Sequence, residues 1–239
     1  EVIKHTFNVD GVQFVLITNT NQLKASINHC YGSQVEAQQY LDKFIKFRFN
    51  IPHQIDRGNH YFSSASHTYL INLMKDSDKL PSGLGNTGPF NEFVLDIIKN
   101  NKTSLREIET LFRYLEIYQH ISNDGFYNSE YLAYTALKFL SVYLFCFKPS
   151  IAIDIEFDKL DISKIANILG LNEIPRINFR KPTASEVILL IISKDTMVDS
   201  KGYNAHSEDS DEWDKFLNEG FSSGMDENEC SNIMKNTIK

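Results

Sequence analysis

Cysteine is scarce in this chain: Cys30, Cys146 and Cys230 are the only three in 239 residues, far apart and odd in number. A disulfide framework is therefore not expected, and a reducing compartment, the cytoplasm, is the expected location, with the thiols buried or idle. Long apolar runs are missing too. The longest, FLSVYLFCF at 139–147, falls far short of the roughly 20 residues a spanning helix needs, so no membrane segment is expected. Residues Glu1–His5 lack the basic start and apolar core of a signal peptide. There is no basic stripe to neutralise phosphate backbones, which leaves nucleic-acid binding without support. No H-E-x-x-H or paired-cysteine zinc signature occurs, so metalloenzyme readings lose ground.

What the chain does have is length for one large or two small domains with a real core and an uneven charge. The net charge is −7. Residues 195–239 hold eleven acidic and four basic side chains and so carry all of it, while the first 194 residues are balanced. This acidic end reads as a solvated, partly ordered tail, with an interaction arm as the alternative.

The pattern along the chain begins with a helix end at 1–6. VQFVLIT at 12–18 is apolar nearly throughout, which predicts a strand buried on both faces. It ends in Asn19, Thr20 and Asn21, with Asn21 the expected cap of a helix that Gly32 stops. Ser33 and Glu36 match a capping box for a second helix, in which Ala37, Tyr40, Leu41, Phe44 and Ile45 keep helical spacing. KFRFNIP at 46–52 alternates Phe47, Phe49 and Ile51 inward with Lys46, Arg48 and Asn50 outward, a strand closed by Pro52. Helix, strand, helix, helix, strand in about 50 residues predicts an α/β layer.

Beyond Pro52, residues 60–147 are mainly helical by pattern, broken by a glycine-rich stretch at 82–89. The clearest helix opens at Ser104 with a capping box to Glu107 and buries Leu105, Ile108, Leu111, Phe112 and Leu115. SIAIDIEFD at 150–158 alternates like a strand, and ISKIANILGL at 162–171 returns to helical spacing with Gly170 as its stop.

Three constellations bear on chemistry. Gly83, Gly85 and Gly88 spell G-x-G-x-x-G, but the preceding LMKDSDKLPS is charged and loop-like where the dinucleotide mechanism needs a strand. A flexible loop is the expectation, with Pro89 in the first turn of the next helix. His53, His60 and His67 recur every seven residues, a spacing that suits separate histidines better than ligands on one helix turn. Arg106 sits in the first turn of a well-capped helix, where the macrodipole disfavours a cation by some tenths of a kcal/mol. An anionic partner offsets that penalty. An intrahelical pair with Glu107 or Glu109 and a phosphate weigh about equally.

The first 52 residues carry a more specific ensemble: an "IKH-F" helix end, the apolar strand, "QL" opening the next helix, "YG", "YLDKFI", and an aromatic strand ending in "IP". Together they resemble the KAP family of P-loop NTPases in the segment after its Walker B strand. SLREIETLFRYL at 104–115 is similar to that family's lid helix. The resemblance implies an α/β fold, the C-terminal portion of a P-loop core with a parallel-sheet edge (1–52), then a helical lid (53–147), a mixed α/β extension (148–194) and the acidic tail (195–239). It implies Asn19 at the sensor-1 position and Arg106 at the sensor-2 position, both catalytic and nucleotide-contacting, with ATP and Mg²⁺ as cofactors of the complete protein. The family often has an acidic residue where Asn19 stands. Neither the Walker A loop, G-x-x-x-x-G-K-[ST], nor a Walker B acid occurs here. The chain is thus expected to be the C-terminal part of a longer ATPase, inactive alone, whose partners are its own N-terminal part and a homo-oligomer or effector protein. The family's settings include bacterial phage exclusion and animal signalling at membranes. No arginine finger is assignable among Arg48, Arg57 and Arg113. The alternative function is a non-catalytic helical interaction module with an acidic tail.

Overall fold

The computed structural model describes residues 15–49, 54–56, 62–81, 84–85, 88–126, 132–172, 182–195 and 229–239. The chain divides into two units, Glu1–Pro52 and His53–Lys239.

In the first unit, α1 (Thr20–Tyr31) and α2 (Ala37–Asp42) pack together through Ile27, Ala37 and Leu41, with Leu23, Val35, Tyr40 and Ile45 around them. Asn19, not Asn21, caps α1. Its side-chain oxygen accepts from the N–H groups of Asn21 and Gln22 at 3.0 and 3.2 Å, and Gly32, at φ 91°, ends the helix in a conformation that favours glycine. The expected Ser33–Glu36 capping box does not form, because α2 starts at Ala37 with Glu36 itself at the cap and no side-chain bond there.

The expected parallel-sheet edge is overturned. Residues 15–18 form no strand, and Val15 is 88% exposed. Residues 46–49 form none either, with Phe49 90% exposed instead of inward. An apolar run becomes a buried strand only when neighbours supply ladder bonds and cover on both faces, and the described residues supply neither. Residues 1–6, 12–14 and 50–52 lie outside the described residues.

The second unit is helical. Its one described sheet is an antiparallel pair, β1 (Gln54–Asp56) with β2 (Phe62–Ser64), in register Ile55 to Ser63. Among the described residues eight helices follow: α3 (Ala65–Asp76), α4 (Gly88–Asn100), α5 (Leu105–Ile121), α6 (Leu132–Phe147), α7 (Pro149–Glu156), α8 (Ile162–Leu169), α9 (Ala184–Asp195) and α10 (Glu229–Ile238). The predicted strand at 150–158 is α7. Pro149 pre-sets its first turn, and burial falls on Ile151, Ala152 and Ile155 at helical spacing, leaving Ile153 53% exposed. The described elements of the 148–194 extension are all helices.

Two helices organise the core. In α6 the run from Ala136 to Leu144 is buried on every side, and in α9 the run from Ala184 to Ser193 is buried likewise. Helices apolar all round belong in the interior. Around them α4 packs on α3, α6, α8 and α9, and α5 packs on α3 and α6. The acidic end corrects the picture of a solvated tail at its last residues. There α10 packs on α6, α7 and α9, burying Cys230 and Met234. Polar ties hold it: the Tyr134 hydroxyl donates to Glu229 at 2.7 Å, and Lys235 pairs with Asp158.

Candidate functional site

Helix α5 is built as its sequence dictates. Ser104 is its N-cap, with Oγ accepting from the Glu107 N–H at 3.4 Å. In return Glu107 Oε2 accepts from the Ser104 N–H and hydroxyl, both at 2.7 Å. These bonds to the ionised form hold the Glu107 carboxyl below the usual carboxylate range. Ile108, Leu111, Leu115 and Tyr118 face the core, whereas Leu105, expected inside, is half exposed at the helix start.

Arg106 lies in this first turn with its side chain in solvent. Neither expected carboxylate pairs with it. Glu107 is occupied by Ser104, and Glu109 accepts from the Tyr69 hydroxyl of α3 at 3.2 Å. Burial, then the Glu109 carboxylate, raises the Tyr69 pKa. The third carboxylate of α5, Glu116, accepts from Ser77 Oγ at 3.1 Å and Lys79 Nζ at 3.2 Å. Arg106 and Arg113 thus have no ion pair among the described residues, and the pair proposed for Arg106 within its own helix is replaced by a bare guanidinium. Asn19 belongs to the other unit. Its Oδ1 is committed to the cap of α1, while its amide N–H₂ has no acceptor among the described residues.

The other sequence candidates resolve differently. Gly83 lies outside the described residues, but Gly85 has a packing reason. A Cβ there would meet Lys75 Cγ of α3 at 3.2 Å, and its carbonyl accepts from the Asn91 amide at 3.0 Å. His67 Nε2–H donates to the Asn91 carbonyl at 3.1 Å, while His53, His60 and Arg57 lie outside the described residues. Arg48 is tied to Asp42. Burial pushes the Cys146 thiol up to about 12, so it is inert as a nucleophile at neutral pH.

Sequence reasoning missed several polar groups. Lys138, in the middle of α6, is 7% exposed and donates to the Gly125 carbonyl, and burial lowers its pKa. Thr183 and Glu186 form a reciprocal capping box at the start of α9, a pattern that the sequence T-A-S-E displays openly. A shallow pocket of about 270 Å³ is lined by Asn101, Lys148, Ile151, Lys164, Asn167 and Ile168. Of its two lysines, Lys164 is already paired with Asp154 at 2.6 Å.

A family model described as the KAP family P-loop domain matches residues 1–122, half of the chain. The chain belongs to the KAP family. No curated protein and no solved structure matches it. The matched stretch of the KAP domain runs through α1 and α2 and ends just past α5, so it includes Asn19 and Arg106 and stops before the buried helices α6 and α9. P-loop NTPases of this kind bind nucleotide with Mg²⁺. Arg106 fits the phosphate half of that requirement, as an exposed fork of donors with no competing carboxylate. The described residues contain no group of three or more His, Cys, Asp or Glu that could hold a metal ion, and they do not fit a Mg²⁺ site. Among them no helix is long and apolar enough to cross a membrane.

Proposed function

We propose that this chain is the sensor and lid part of a KAP-family ATPase, with the phosphate cradle supplied by a Walker A loop that these 239 residues do not contain. Arg106 binds nucleotide phosphate and couples nucleotide state to the helices behind α5. The carrying observation is the unpaired guanidinium in the first turn of a capped helix inside the family-matched stretch. Nothing in α5 neutralises it, and the helix dipole disfavours it until an anion arrives. Asn19 keeps its cap and offers its free amide N–H₂, which suits a role in orienting a phosphate oxygen or the attacking water. ATP binding shifts the lid and drives a partner or a homo-oligomer.

The test is ATP turnover in a protein that carries this chain together with a Walker A loop. A charge-assisted hydrogen bond is worth about 1.5–3 kcal/mol, so Arg106→Ala should cost about 10- to 100-fold in turnover. Unaltered turnover removes Arg106 from the site. Anti-phage defence is the setting we propose from the family, and plating efficiency of phage on cells with and without the gene tests it. The rival reading, a helical interaction module, draws support from exposed Tyr114, Ile117 and Ile121 on α5. It predicts no nucleotide binding in the same assay.

A further inference from the structure

Helix α5 carries two arginines and three carboxylates at spacings that favour intrahelical pairs. Glu109 stands three residues after Arg106 and four before Arg113, the latter being the preferred order of charges, and Glu116 stands three after Arg113. In solution such a helix would pair its own charges. In the fold every one of these carboxylates is drawn away by another group: Glu107 by Ser104 within the cap, Glu109 by Tyr69, and Glu116 by Ser77 and Lys79. Three of those four groups, Tyr69, Ser77 and Lys79, lie on α3 or in the turn after it. Arg106 and Arg113, seven residues apart, point the same way from the helix, about 10.5 Å apart along its axis, within the joint reach of two long side chains.

We propose that α3 sorts the charges of α5, with Tyr69 as a positioning residue, so that Arg106 and Arg113 stay unpaired and together bind one polyphosphate chain. The proposal rests on the reading of Arg106 as a phosphate ligand and adds Arg113 as a second ligand and Tyr69 as the group that keeps Glu109 from both. A guanidinium fork matches phosphate oxygens in two-point contact. Two forks on one helix face suit a chain of phosphates better than a single small anion. Glu109 is the one carboxylate within reach of both arginines, so its tether to Tyr69 decides the fate of the pair.

The experiment titrates this chain with sodium tripolyphosphate at low ionic strength, following the Nε–H resonances of Arg106 and Arg113 by NMR. Both signals should move together. Tyr69→Phe keeps the ring and removes the donor, freeing Glu109 to pair, and should weaken binding about twofold. Adding Glu109→Gln to Tyr69→Phe should restore wild-type affinity, which a merely structural role for Tyr69 would not produce. Arg113→Ala should weaken tripolyphosphate more than orthophosphate. An unchanged affinity in Tyr69→Phe, or no rescue by Glu109→Gln, overturns the positioning role. If Arg106→Ala leaves binding unchanged, the phosphate-ligand reading itself falls. If Arg106→Ala weakens binding while Tyr69→Phe and Arg113→Ala do not, that reading stands and this proposal fails.

Discussion

Replacing Gly170 by alanine tests how α8 is stopped and what it is stopped against. Gly170 sits at φ 73°, ψ 28°, the left-handed region, and its N–H closes the last turn onto Ala166 and Asn167. Forcing an L-residue there costs about 1–2 kcal/mol. A second cost comes from the neighbour. A Cβ at this position would lie 2.2 Å from Nδ2 of Asn100, and that same amide donates to the Leu169 carbonyl at 2.7 Å. Asn100 is exposed and can swing away, so the clash itself is cheap. Swinging away breaks the bond between the C-terminal ends of α4 and α8, a further loss of about 1 kcal/mol. Gly170→Ala should therefore destabilise by about 2–3 kcal/mol in urea unfolding. Asn100→Ala alone should cost about 1 kcal/mol, and the double variant no more than Gly170→Ala alone, because the bond can be lost only once. Strict additivity of the two, or a loss under about 1 kcal/mol for Gly170→Ala, would refute this account.

Further outcomes follow from the geometry. Ser104→Ala should lower stability by about 1 kcal/mol through loss of the α5 cap. Because the Glu107 pKa is depressed in the fold, its share of stability is present above its ordinary value of 4.5 and is lost as pH falls through the folded value, so Glu107→Gln should flatten the acid limb of a stability–pH curve. With a thiol reagent at pH 8, exposed Cys30 should react at once, while Cys146 and buried Cys230 should react only as fast as the protein opens. The Cys146 thiol, raised to about 12 in the fold, contributes stability that is whole below its ordinary value of 9.0 and is lost as pH climbs toward 12. A Cys146→Ser variant should lose less stability over that range.

The legible parts of the sequence were those whose cause is local. Ser104 with Glu107, and Gly170 after an apolar helix, carry their signal within four residues, and both stand where they were read. The Asn19–Asn21 cap was off by two because either asparagine can cap, and only the backbone of Asn19 is extended. The strand read into 150–158 failed because isoleucines at 151, 153 and 155 satisfy a period of two as well as a helix does, and Pro149 was the overlooked tie-breaker. The strand expected at 12–18 rests on apolar composition and that at 46–52 on alternation, and both say that a segment wants cover but not whether anything provides it. Helix α9 had no amphipathic period to detect because it is buried all round. Helix α10 was hidden by the charge of the stretch that leads to it, although Cys230, Ile233, Met234 and Thr237 keep helical spacing. Of the candidate site, the place of Arg106 on a capped helix was readable. Its lack of a partner was not, since that depends on Tyr69, Ser77 and Lys79, which stand 37–40 residues before the carboxylates they hold.

The docking of α10 sets a schedule for synthesis. Glu229 reaches back 95 residues to Tyr134, Lys235 77 residues to Asp158, and Thr237 119 residues to Tyr118. At about 5–20 residues per second on the ribosome, roughly 5–20 s pass between the emergence of Tyr134 and that of Glu229. During that interval α6, the most apolar of the described helices, lacks its α10 cover. A nascent chain stalled before Glu229 should be recognised by chaperones that bind apolar segments, and emergence of α10 should end that recognition.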